Sequence, residues 1–154
     1  MRAIDILKLP PRVKVLEALG SIADGRIEIL NDKKARVKSS LGDRVYTVCV
    51  DVEKGIAYSD DNGTKYRKYI GYPIIALLMI KGLLPFNERI AKALSGIPWK
   101  SINERMKSYK LVEQYVKLRV KSRGIEPKEV DDYISKVLSE LSKIKLIYSD
   151  VCLK

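Results

Sequence analysis

The sequence predicts an α+β fold, with an N-terminal antiparallel β-meander packed with C-terminal helices: a ββα-type core, then three helices. Three observations predict it. Apolar residues recur with a period of two between residues 26 and 59. They recur at helical spacing from Tyr72 onward. Turn residues separate the short runs, at Asn31-Asp32, Gly42-Asp43, Gly55 and Asn62-Gly63. With 154 residues, 46% of them hydrophobic and 32% charged, the chain fits one domain with a real core. Residues 1–71 read as mainly strands and residues 72–154 as helical.

Each element has its own warrant. Residues 11–23 form a short first helix, with Pro10 and Pro11 at its start and Val13, Leu16 and Leu19 at helical spacing; Gly20 weakens or ends it. Residues 26–29, 35–39, 45–52 and 56–59 are strands, the third β-branched and aromatic throughout. Asn62-Gly63 is a tight-hairpin dipeptide, which makes Lys65-Tyr66-Arg67-Lys68-Tyr69 a basic hairpin. Residues 72–81, apolar nearly all round, are a helix buried against the sheet. A short helix spans 87–95, a long one 98–123 and a last one 127–146, divided by Ser95-Gly96 and Gly124. Trp99 reads as a core anchor.

The chain has no His, which removes the commonest general base and the Ser-His and Cys-His nucleophile pairs. Two Cys cannot make a zinc site. Cys49 reads as a small buried side chain; a disulfide with Cys152 fits a hyperthermophilic source. Abundant Lys, Ile and Tyr point the same way, toward an archaeal-type thermophile. The carboxylate pairs Asp60-Asp61 and Asp131-Asp132 suit turns and helix starts, and the glycines form no phosphate-cradling motif. No catalytic residue, cofactor or metal is therefore expected, and the chain does not read as an enzyme. Met1 to Gly20 mixes charges into its apolar positions, unlike a signal peptide, and the apolar run 73–80 is too short to span a bilayer. A cytoplasmic protein with no membrane partner is expected.

The net charge of +11 is localised. Residues 1–61 carry 11 basic and 10 acidic side chains, residues 62–125 carry 14 and 3, and residues 126–154 carry 5 and 6. A concentrated excess is the electrostatic footprint of a polyanion binder. On one continuous helix over 98–123, Ile102, Met106, Tyr109, Val112, Val116 and Val120 share one arc. Lys100, Lys107, Lys110, Lys117 and Lys121 share another, a row of ammonium groups about 30 Å long, with Arg105 nearer the apolar edge. Only Glu104 and Glu113 are available on that helix to pair with them. In the basic hairpin, Tyr66 and Tyr69 are placed to stack bases while Lys65, Arg67 and Lys68 hold phosphates.

The stretch from Lys34 to Lys81 resembles a SWIM zinc-finger domain. Residues 37–40 and 46–48 look like its opening strands, and Ile74-Ile75-Ala76-Leu77-Leu78 looks like the apolar helix after its Cys-x-His. Ala57, Ser59, Gly71 and Pro73 stand where that family has its four ligands. The resemblance implies a metal-free derivative that binds DNA or protein partners. Residues 87–107 are similar to a helix-turn-helix, with Lys100, Ser101, Asn103, Glu104 and Arg105 opening its recognition helix.

The function expected from these observations is a non-catalytic, nucleic-acid-binding accessory protein, with DNA ahead of RNA. Its contacts would be Lys65, Tyr66, Arg67, Lys68, Tyr69, Lys100, Arg105, Lys107, Lys110, Lys117 and Lys121. The alternatives are a helix-turn-helix regulator and a protein-interaction subunit of a replication, repair or ribonucleoprotein complex. The latter would dock through the C-terminal helix and its apolar tail Leu146-Ile147-Tyr148.

Overall fold

The computed structural model describes residues 4–154; residues 1–3, the start of the segment read as unlike a signal peptide, lie outside the described residues. In chain order the elements are α1 (Val13–Ala23), β1 (Ile27–Ile29), β2 (Lys34–Lys38), β3 (Val45–Asp51), β4 (Ile56–Ser59), α2 (Asn62–Arg67), α3 (Tyr72–Ile80), α4 (Glu88–Ala93), α5 (Trp99–Met106), α6 (Tyr109–Ser122), α7 (Pro127–Leu141) and β5 (Ile147–Tyr148), closed by a 3₁₀ turn over Val151–Leu153. The fold class is α+β, as the sequence predicts. The four predicted strands form an antiparallel meander, with Ala35 opposite Val48 and Val50 opposite Ala57. None of the described helices is long and apolar enough to cross a membrane.

α3 owes its place to composition. Every residue from Tyr72 to Met79 is buried, and it packs on β3 and β4 of the sheet and on α1. α1 is buried nearly all round and touches α3, α4, α6 and α7. Gly20 does not end α1. It lies inside the helix because a Cβ there would stand 2.8 Å from Nε1 of Trp99, whose side chain is 1% exposed. Trp99 is thus the core anchor expected.

Four elements differ from the sequence reading. The basic hairpin is a helix, α2: the Asp61 side chain accepts from the Thr64 backbone N–H at 3.1 Å, so the segment starts as a capped helix. Gly63 serves packing there, since any side chain at that position would overlap the Tyr69 ring. The long helix is two helices. Lys107 ends α5 in the left-handed region at φ 52°, and Ser108 caps α6 by accepting from the Leu111 N–H at 3.2 Å. The continuous row of lysines is therefore broken at its second member.

The last helix stops at Leu141, and the tail beyond it becomes β5, parallel to β4 and the fifth strand of the sheet. Its other side is taken by the N-terminal segment: Leu7 N–H donates to the Leu146 carbonyl and Tyr148 N–H to that of Asp5, both within 2.9 Å. The tail read as a docking surface is consumed by the fold itself. In agreement with the sequence reading, Cys49 and Cys152 form a disulfide, with Cα atoms 5.9 Å apart. It ties the C-terminal 3₁₀ turn to the face of β3 opposite α3.

The disulfide joins positions 103 residues apart, a span over which cross-linking restricts the unfolded chain strongly. Reduction, or Cys152→Ser, is expected to lower the unfolding free energy by roughly 2–4 kcal/mol. Urea midpoints measured with and without reductant check this; equal midpoints would show that the closed loop contributes nothing.

Candidate functional site

The break between α5 and α6 opens a cleft of about 540 Å³. Its lining comes from α1 (Lys14, Glu17), the β2–β3 loop and β3 (Ser39, Ser40, Arg44, Tyr46), α2 and its flanks (Asp61, Arg67, Tyr69, Tyr72), and α5 with the start of α6 (Lys100, Asn103, Lys107, Tyr109). Burial sorts these residues by depth. Glu17 is 5% exposed and Lys14 nearly as enclosed, whereas Arg44, Arg67 and Lys107 are exposed. The cleft therefore has an ion-paired floor and a net-positive mouth, where Glu104 is the exposed carboxylate among the cations.

On the floor, Lys14 Nζ donates to Glu17 at 3.0 Å, and Asn103 Nδ2 lies 3.3 and 3.4 Å from its two oxygens. Burial pulls the Lys14 pKa down, but the charge and hydrogen bond of Glu17 outweigh it, and the net shift is upward from 10.5. The same ammonium sits 5.4 Å over the Tyr109 ring. Tyr109 then links floor to mouth: its hydroxyl accepts from Arg67 Nη1 at 2.9 Å and lies 3.3 Å from the Tyr69 hydroxyl. Burial, with the Tyr109 hydrogen bond added, holds the Tyr69 phenol far above its ordinary value, and burial does the same to Tyr72. Both remain neutral throughout the physiological range.

At the mouth the cations are unequal. Lys100 is paired with Asp43 at 2.6 Å, and its backbone N–H donates to Ser40 at 2.8 Å, pinning the start of α5 to the β2–β3 loop. Among the described residues, Arg44, Arg67 and Lys107 have no carboxylate partner. Arg44 lies 5.4 Å over the Tyr46 ring. Asp61 points at the cleft but is engaged by both the N–H and the hydroxyl of Thr64.

Of the eleven residues the sequence singles out, the cleft gathers Arg67, Tyr69, Lys100 and Lys107. Lys65, Tyr66, Lys68, Arg105, Lys110, Lys117 and Lys121 lie outside its lining. Tyr66 is 70% exposed on α2. Tyr69, expected as a stacking platform, is buried with its ring against Gly63. Lys68 lies 4.3 Å over the Tyr148 ring. Lys117 is committed elsewhere: it bridges Glu113 at 2.9 Å and Asp131 at 2.5 Å, joining α6 to α7. The first turn of α5, read as a recognition helix, faces the β2–β3 loop and the floor of the cleft. Tyr46 and Asn103 read only as a strand residue and as part of the recognition helix, and Lys14, Glu17 and Arg44 escape the sequence reading. The one signal for them was Lys14 and Glu17, three residues apart on a helix otherwise apolar.

The remaining motifs are structural. Asp60 accepts from the Thr47 N–H, Asp131 pairs with Arg12 and Lys117, and Asp132 pairs with Lys128. Ala57, Ser59, Gly71 and Pro73, where the SWIM resemblance places ligands, are all buried, and a side chain at Gly71 would strike the Asp61 carboxylate. Among the described residues no group of three or more His, Cys, Asp or Glu is placed to hold a metal ion.

A family model described as "Uncharacterised conserved protein UCP014422" matches residues 7–147. The chain belongs to this family. The matched span runs from before α1 into β5 and contains every residue that lines the cleft. No curated protein and no solved structure matches the chain.

Two outcomes test the cleft. Glu17→Gln would strand the Lys14 ammonium and is expected to cost about 3–5 kcal/mol, while replacing both members, Lys14→Met with Glu17→Leu, costs less. Because the folded pKa of Lys14 is raised, the pair's stabilisation is fully present below the ordinary lysine value of 10.5 and is lost as the pH climbs past it. Melting temperatures across pH 7 to about 11 should fall less steeply in the double variant. Separately, Gly63→Ala must displace the Tyr69 ring; unchanged near-ultraviolet dichroism in that variant would contradict the packing described.

Proposed function

We propose that this protein is a non-catalytic nucleic-acid-binding protein that holds phosphates at the cationic mouth of the cleft. One observation carries the reading: Arg44, Arg67 and Lys107 come from three separate parts of the chain to one concave surface, and none is neutralised by a carboxylate. Cations used only for solubility are spread and paired, whereas unpaired cations around a cavity concentrate potential where an anion can sit. Arginine at two of the three positions suits phosphate oxygens, which its planar fork engages in pairs. Lys110, Lys121 and Arg105, elsewhere on α5 and α6, are also exposed and without carboxylate partners among the described residues. Lys117 takes no part in this reading, because its charge is spent between α6 and α7.

Binding to a fluorescent single-stranded oligonucleotide should weaken with added salt, with a slope that shrinks by about 0.7–0.9 for each of Arg44→Ala, Arg67→Ala and Lys107→Ala. Asp43→Asn, which releases Lys100 from its carboxylate partner, should tighten binding at low salt. Affinity that ignores salt, or that is indifferent to all four substitutions, would sink the reading.

A further inference from the structure

The cleft's two ends differ in charge, and that restricts what can enter it. The mouth is net positive, with Glu104 as its exposed carboxylate. The floor presents the Glu17 carboxylate, which accepts hydrogen bonds and donates none. Its bond from Lys14 is short, at 3.0 Å, whereas the two approaches of the Asn103 amide are long, at 3.3 and 3.4 Å. A carboxylate has about four acceptor positions, so capacity remains for a further donor. The Glu17 charge is already balanced by Lys14, so the floor offers a phosphate no net positive charge in exchange for the water it would lose. A group that reaches it must be neutral and rich in N–H, and must stay attached to an anion that remains outside.

We propose that the cleft receives one unpaired nucleotide, its amino-bearing base edge against Glu17 and its phosphate on Arg44, Arg67 and Lys107. This inference rests on the phosphate-binding reading above and specifies what that site takes. The walls suit a base: Tyr46, Tyr72 and Val112 supply apolar surface, and Tyr109 also lines the cleft. The volume, about 540 Å³, falls in the range of pockets that enclose small ligands. A paired base has its edge donors already occupied by the opposite strand, so only an unpaired one can offer them to Glu17. Adenine, cytosine and guanine each carry an exocyclic amine. Thymine and uracil present a single ring N–H flanked by two carbonyl oxygens, which a carboxylate repels. The shared chemistry is a nucleotide with a free amino-bearing base, whether within a strand or as a free monophosphate.

The experiment uses the intact wild-type protein at low salt and pH 7.5. Affinities are measured for oligo-dC, oligo-dT, a blunt duplex of equal length, and an oligo-dT strand with a single central dC, together with CMP and UMP. Oligo-dC is expected to bind about tenfold tighter than oligo-dT and the duplex, and the single dC to recover part of that difference. CMP binding as tightly as the strand assigns the site to free nucleotides; CMP binding weakly with the same preference over UMP assigns it to a strand. Asn103→Leu, which leaves the Lys14–Glu17 pair in place, and Glu17→Gln, if it folds, should narrow the dC–dT difference while keeping the salt dependence. Equal, salt-dependent binding to dC, dT and duplex overturns this inference and leaves the phosphate reading standing. No binding to any of them overturns both.

Discussion

Helix α1 is the constraint around which the rest of the structure is arranged. It is buried nearly all round, so each neighbour must offer it a matching surface, and it carries a lysine and a glutamate into that interior. Two charges so enclosed are tolerated only as a bonded pair with further polar support. Asn103 supplies part of that support from α5, and the Tyr109 ring lies under the ammonium from α6. The two helices that support the pair are those separated by the break at Lys107 and Ser108. Had residues 98–123 run on as one straight helix, Asn103 and Tyr109 would lie about 120° apart around it, at a fixed spacing along it. The turn instead lets each approach the pair from its own direction and leaves the cleft between them. A polar interior and an open cleft are thus one structural fact.

Much of the fold was legible in the sequence, and the exceptions share a cause. The meander was readable because alternation survives in each strand, and α3 because an all-apolar run that long must be buried. What failed depended on partners distant in sequence. The segment 146–148 reads as an apolar tail because nothing local says that β4 lies on one side of it and residues 5–7 on the other. Asn62-Gly63 reads as a hairpin turn because the dipeptide suits one; Gly63 is there because the Tyr69 ring rests on it. Gly20 misleads in the same way, through Trp99. Only the split at Ser108 was locally visible: serine is a strong helix N-cap, and the regular spacing of lysines on either side concealed it.

The site was less legible than the fold for a related reason. A helical projection assigns a residue to a face, but not what that face meets. Lys117 lies on the same projected arc as Lys107, yet one is held between two carboxylates and the other has none. Arg44 was passed over because its segment is nearly neutral overall. In the folded chain several acids of that segment are engaged elsewhere: Glu28 with Arg36, Asp51 with Lys33 and Asp24 beside Arg26.

The localised charge therefore has to be read in two steps. The first is subtraction. Of the cations in residues 62–125, Lys92, Lys100, Lys117 and Arg89 have carboxylate partners within the chain. An ammonium already hydrogen-bonded to a carboxylate gains little from a second anion, because the attraction is offset by the repulsion that anion feels from the first. The second step is position. Arg67 and Lys107 retain their charge and stand at the cleft, joined there by Arg44 from outside the basic segment. A potential set by a few unpaired cations around a concavity falls off within about 8–10 Å at physiological salt. Such a potential acts on an anion at the mouth and not on one across the molecule, so its reach is set by which charges the fold leaves unpaired, rather than by the net charge of the chain.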